Sequence, residues 1–125
     1  MTSNGQLFFV YGTLKREYWN NYLFDNGTYL GKFVTEPKYT LFNGPFPVVE
    51  RGGETSIFGE VFRLRDEDEI QAIFDLERCS SRKQGDPNNW YDFDTINTDW
   101  GEAVIFVMDK GISGRETILK NGKWV

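Results

Sequence analysis

Short apolar runs, cut by glycine, proline and asparagine, dominate the chain, and helical periodicity surfaces twice. Residues 6 to 11, QLFFVY, are aromatic-rich and stop at Gly12, which predicts a buried strand. Tyr18, Trp19, Tyr22 and Leu23 then recur at i, i+1, i+4 and i+5, the face of a short helix that DNG at 25 to 27 would end. Two strand-like runs follow, Thr28 to Thr35 and Lys38 to Phe42. NGPFP after them is expected to be irregular, because one glycine and two prolines interrupt any ladder. RGGE at 51 to 54 has the composition of a hairpin turn into TSIFGEVFRL. That run is apolar on both faces, with Ile57 and Val61 on one and Phe58 and Phe62 on the other, so it should be covered on both sides. Gly59 in its middle allows a bend or a close approach. WYDFDTI and EAVIFVM read as strands around the turn NTDWG, and KNGKW as a tight hairpin end. The expected fold class is α+β: a mixed sheet of about five to seven strands, closed or nearly closed into a small β-barrel, with flanking helices.

The stronger helix begins at Asp66, which with Glu69 three positions on has the spacing of a capping box, and the acidic run 66 to 69 suits the positive end of the helix dipole. Ile70, Ile73 and Phe74 mark its buried stripe. The next position on that stripe is Glu77, so a carboxylate falls on the apolar face. Desolvation and the negative end of the dipole both disfavour its anion, and both push its pKa toward the range useful to a general acid or base. The plainer alternatives are a helix that frays by residue 76, or an ion pair of Glu77 with Arg78, Arg82 or Lys83. YGTL at 11 to 14 is a second candidate. A strand that stops at a Gly-Thr turn presents backbone N–H groups without ladder partners, suited to an anion or oxyanion, although such a glycine also serves simply to turn a chain. Glu60, on a strand between Gly59 and Val61, reads as a solvent-facing or salt-bridged residue.

Composition narrows the chemistry. The 125 residues suit one domain, 1–125, with no repeat or linker, and 17% aromatic residues provide a large core. A net charge of −5 without a long basic run argues against nucleic acid and anionic membrane surfaces. LFFVY is too short for a membrane span and lacks a basic leader, so a cytoplasmic protein is expected. There is one cysteine, Cys79, and no histidine. An internal disulfide, the usual Cys/His zinc sites and every Ser-His or Cys-His pair are thereby removed. Proton transfer is left to a perturbed carboxylate or lysine, the thiol or a tyrosine.

Taken together, FFVYGTLKRE, PFPVV, GEVFRL and IFDLERC resemble, in order and spacing, the γ-glutamylcyclotransferase-like family, with the nearest likeness to γ-glutamylamine cyclotransferases. The matching segments run from about residue 7 to residue 79. The resemblance implies a small barrel, a small-molecule γ-glutamyl substrate, and neither metal nor cofactor. It implies a substrate-binding turn made by Tyr11, Gly12, Thr13 and Leu14, with Glu77 as the catalytic carboxylate. Pro47 matches a proline of the family's pocket region. Members usually carry a tyrosine soon after the catalytic helix, often followed two residues later by arginine. Tyr91 is the best match here, Tyr39 is the alternative, and Phe93 stands where the arginine is expected. The longer connection from Ser80 to Asn89 is expected to bear on substrate choice. A binding or interaction domain that keeps only the fold is the competing reading.

Overall fold

The computed structural model describes residues 5–11, 27–43, 47–77, 79, 81–87, 91–108 and 117–118. Eight strands and one helix are found there: β1 (Gln6–Val10), β2 (Thr28–Val34), β3 (Tyr39–Asn43), β4 (Pro47–Arg51), β5 (Phe58–Leu64), α1 (Glu67–Leu76), β6 (Asp92–Thr98), β7 (Gly101–Val107) and β8 (Thr117–Ile118). The expected helix around Tyr18 to Leu23 and the hairpin end at KNGKW lie outside the described residues.

Five strands form one mixed sheet in the order β2-β5-β1-β7-β6, and three form another in the order β4-β3-β8. Within the larger sheet β1 runs antiparallel to β5 and parallel to β7. The strands are central because their side chains alternate between two cores. Phe8 and Val10 of β1, Phe62 and Leu64 of β5, and Val104 and Phe106 of β7 pack with Ile70, Ile73 and Phe74 of α1. Leu7, Phe9, Val61, Ala103, Ile105 and Val107 point the other way, onto Tyr39, Leu41 and Val49 of the smaller sheet. The two-faced apolar pattern of TSIFGEVFRL thus follows from burial on both sides, with Phe58, the first residue of β5, left exposed.

Four expectations change. Among the described residues the strands fall into two sheets and not one closed barrel, and a parallel bridge between Glu50 and Met108 joins them. NGPFP is not simply irregular. Pro47 opens β4 and pairs with Asn43, so β3 and β4 form a hairpin whose connecting residues 44–46 lie outside the description. The strand total therefore exceeds seven. The RGGE turn does not lead β4 into a neighbouring strand. Gly52 and Gly53, with φ of 86° and 118°, carry the chain from the small sheet to β5, and Thr55 bridges back to Tyr39 on the way.

Candidate active site

Asp66 caps α1 as expected, its Oδ1 accepting from the backbone N–H groups of Asp68 at 2.8 Å and Glu69 at 3.2 Å. The helix ends at Leu76 and Glu77 is its C-cap, yet the stripe does not stop there. The Glu77 N–H still donates to the Ile73 carbonyl at 3.1 Å, and the Cys79 N–H closes back on Phe74 at 2.8 Å. One more residue in near-helical register is enough to keep the Glu77 side chain on the Ile70–Ile73–Phe74 face. No basic residue occupies the last turn of α1. Burial pushes the Glu77 carboxyl up to about 7 from an ordinary 4.5.

Of the alternative partners for Glu77, Arg82 is engaged elsewhere and Arg78 is undescribed. Arg82 pairs with Glu67 near the start of α1 and lies over the Phe74 ring, 5.0 Å from its centroid. Arg78 lies outside the described residues.

Two phenols lie near enough to feel the Glu77 charge, at the C-terminal ends of the parallel strands β1 and β7. Tyr11 directly follows β1, is 8% exposed, and donates from its hydroxyl to the Phe106 carbonyl at 2.6 Å. Burial drives its pKa well above the usual tyrosine value, and the nearby Tyr91 and Glu77 charges add to this; a Val49 backbone hydrogen bond opposes them. Tyr91, 6% exposed, packs in the core of α1, and burial followed by the Glu77 charge raises its pKa too. Both phenols are thus neutral at physiological pH, the Tyr11 proton being committed to the Phe106 carbonyl. Tyr39 lies apart from this group. Burial raises it to about 12, its charged neighbours are Asp94, Arg51 and Glu36, and its hydroxyl has no hydrogen-bond partner among the described residues.

Gly12, Thr13 and Leu14, the remainder of the expected substrate turn, lie outside the described residues. Of the two readings of Glu60, solvent-facing or salt-bridged, the structure removes the first. Glu60 is 8% exposed, in register with Val10 on one side and Lys32 on the other. The described part of the 80 to 89 connection is tied to β6: the Gly85 N–H donates to Asp92 Oδ1 at 2.9 Å, and Gln84 Nε2 donates to the Phe93 carbonyl at 3.0 Å. Cys79 is fully buried, and burial first, then Asp92, Asp86 and Glu77, push its thiol up to about 11. No group of three or more candidate metal ligands occurs among the described residues.

Sequence reasoning missed Arg51. From the end of β4 its Nη2 donates to Asp92 Oδ2 at 2.9 Å and to Asp94 Oδ1 at 2.7 Å, while Nε donates to Asp94 Oδ1 at 2.9 Å. The alternation Asp92-Phe93-Asp94 does put two carboxylates on one strand face. Nothing local says which cation meets them.

Comparison with known proteins identifies the family and the fold. The family model described as gamma-glutamyl cyclotransferase, AIG2-like, matches residues 8–125. A Vibrio cholerae protein named "Putative gamma-glutamylcyclotransferase" is 32% identical over 119 residues, covering 94% of each chain. The solution structure of the protein ytfP from Escherichia coli superposes with a TM-score of 0.73 at 25% identity, over 96% of both chains. An AIG2-like protein of Mus musculus shares the fold, with a TM-score of 0.68 at 19% identity over 96% of this chain and 88% of that one.

Proposed function

Because the chain belongs to the gamma-glutamyl cyclotransferase, AIG2-like family, we propose that it cyclises a small γ-glutamyl amide to 5-oxoproline with release of an amine. The observation that carries this reading is Glu77, a carboxyl raised to about 7 and set beside two neutral phenols. A γ-glutamyl amide brings its own nucleophile. The Glu77 carboxylate removes a proton from the α-ammonium group, and the freed amine attacks the γ-carbonyl to close a five-membered ring. The tetrahedral oxyanion is stabilised by donors of the 11 to 14 turn, the role that the resemblance gives to Tyr11, Gly12, Thr13 and Leu14. As the C–N bond to the leaving group breaks, Glu77 returns the proton to the departing nitrogen. Tyr91, whose phenol feels the Glu77 charge, is assigned to the substrate's surroundings by the same resemblance. No step calls for a metal or cofactor, so turnover is expected to persist in EDTA; loss in EDTA with recovery on adding a divalent ion would refute this part. The proposed setting is cytoplasmic, with a small molecule as partner and neither nucleic acid nor membrane.

The test is a panel of γ-glutamyl amines and γ-glutamyl amino acids, with 5-oxoproline as the readout. Wild type should act on at least one member, with kcat/KM rising through about pH 7 as Glu77 ionises. Glu77→Gln keeps shape without basicity and should lower turnover by roughly 10²–10⁴. A folded Gln variant with wild-type turnover would remove Glu77 from the chemistry. A wild type inactive on the whole panel would favour a binding domain.

A further inference from the structure

The two sheets meet along a seam at the end of the molecule that carries Glu77. Three ties cross or flank it. The Met108 N–H donates to the Val49 carbonyl at 2.7 Å, Tyr11 spans from the Phe106 carbonyl to the backbone of Val49, and Arg51 of β4 grips Asp92 and Asp94 of β6. Asp92 is where these elements converge. It is 8% exposed, its Oδ1 accepts from the Gly85 N–H and its Oδ2 from Arg51, so both carboxylate oxygens are held. The next residue back is Tyr91.

We propose that Arg51 and Asp92 form a positioning clamp that fixes Tyr91 against Glu77. Strand alternation supplies the mechanism. Asp92 and Asp94 face the small sheet, where Arg51 reaches them, while Tyr91 and Phe93 face α1, where Phe93 meets the Phe74 ring at a centroid distance of 5.7 Å. Securing Asp92 on one face therefore sets where Tyr91 stands on the other. The fork of Arg51 suits the task, since one guanidinium contacts two carboxylates and the Phe93 carbonyl between them, at 3.2 Å. A lysine ammonium is a point charge and cannot span both. Burial raises the Asp92 pKa, but hydrogen bonds from Gly85 and Arg51 outweigh it and hold the carboxyl below its ordinary value. The clamp is thus engaged throughout the range in which Glu77 titrates.

This role rests on the cyclotransferase reading for its effect on turnover, and on the structure alone for its effect on Glu77. The experiment uses the full chain as wild type, Arg51→Lys, Arg51→Met, Tyr91→Phe and the Arg51→Met/Tyr91→Phe double variant. Turnover is read as 5-oxoproline, and the Glu77 carboxyl is titrated by carbon NMR. Arg51→Met should lower kcat roughly 10–100-fold with a smaller change in KM, and Arg51→Lys should fall between it and wild type. The double variant should be no slower than the slower single variant, because both changes disable one device. In both Arg51 variants the Glu77 pKa should drop toward the ordinary glutamate value as Tyr91 ceases to cover it, leaving Tyr11 and the Cys79 thiol beside it. If Arg51→Met does not fold, Arg51→Lys carries the comparison. Multiplicative losses in the double variant, or an unmoved Glu77 titration in a folded Arg51 variant, would overturn the clamp. Absence of 5-oxoproline from wild type would overturn the cyclotransferase reading alone, since the titration still decides the clamp.

Discussion

Glu77 and Cys79 stand two positions apart at the end of α1, and burial acts on both in one direction, shifting each toward its protonated form. The consequences differ because the starting points differ. A carboxyl moved to about 7 becomes a usable acid and base near neutrality, whereas a thiol moved to about 11 has almost no thiolate there. Cys79→Ser should therefore keep most of the turnover in the 5-oxoproline assay. It should lower stability by about 1–3 kcal/mol, because a hydroxyl replaces a small apolar group in a fully buried position; urea unfolding measures this. A loss of turnover as deep as that of Glu77→Gln, in a folded Ser variant, would point to thiol chemistry. Glu77 was legible in the sequence because helical periodicity is local. Arg51 was not, because its partners lie 41 and 43 residues away and only the folded chain brings them into reach.

At the level of elements, hydrophobic alternation located six strands and the capped helix, and failed where proline masked the pattern. β4 opens on Pro47, which lacks an N–H, and still forms a strand because β3 supplies a partner across the 43–47 hairpin. Gly59 shows the opposite case, a residue whose sequence position hinted at its role. A Cβ at Gly59 would collide with the Val10 carbonyl oxygen and lie 2.6 Å from Cζ of Phe9, so β5 and β1 can lie against each other only without a side chain there. Gly59→Ala should cost about 1–3 kcal/mol in chemical unfolding, by forcing packed neighbours to shift. The strain falls at the end of β1 that leads into Tyr11, so turnover should drop along with stability. An alanine variant as stable as wild type would mean that β1 yields more readily than its burial implies.

For the whole molecule, the raised Glu77 pKa links folding to pH. Below 4.5 the carboxyl is protonated in both the folded and unfolded chain. As pH rises from there toward 7, the unfolded chain gives up its proton while the folded chain retains it. Stability from this group therefore falls across that window and levels off above it. Urea unfolding at about pH 5 and about pH 8 should show the decline, and Glu77→Gln should flatten it. An equally steep decline in the Gln variant would assign it to other groups. Asp92 acts in the reverse sense in a lower window, its stabilising contribution being lost as pH falls below the usual aspartate range. By itself the sequence determined the α+β class, the capped helix, the two-faced burial of the central strands and the carboxylate at the end of the apolar stripe. Each of these depends on spacing within one segment, and spacing is written in the chain. Only the tertiary structure decided the division into two sheets, the choice of Tyr91 over Tyr39 as the phenol beside Glu77, and the Arg51 seam. Each depends on which distant segments share a face or an edge, and that is settled by packing the whole core at once and not by any local pattern.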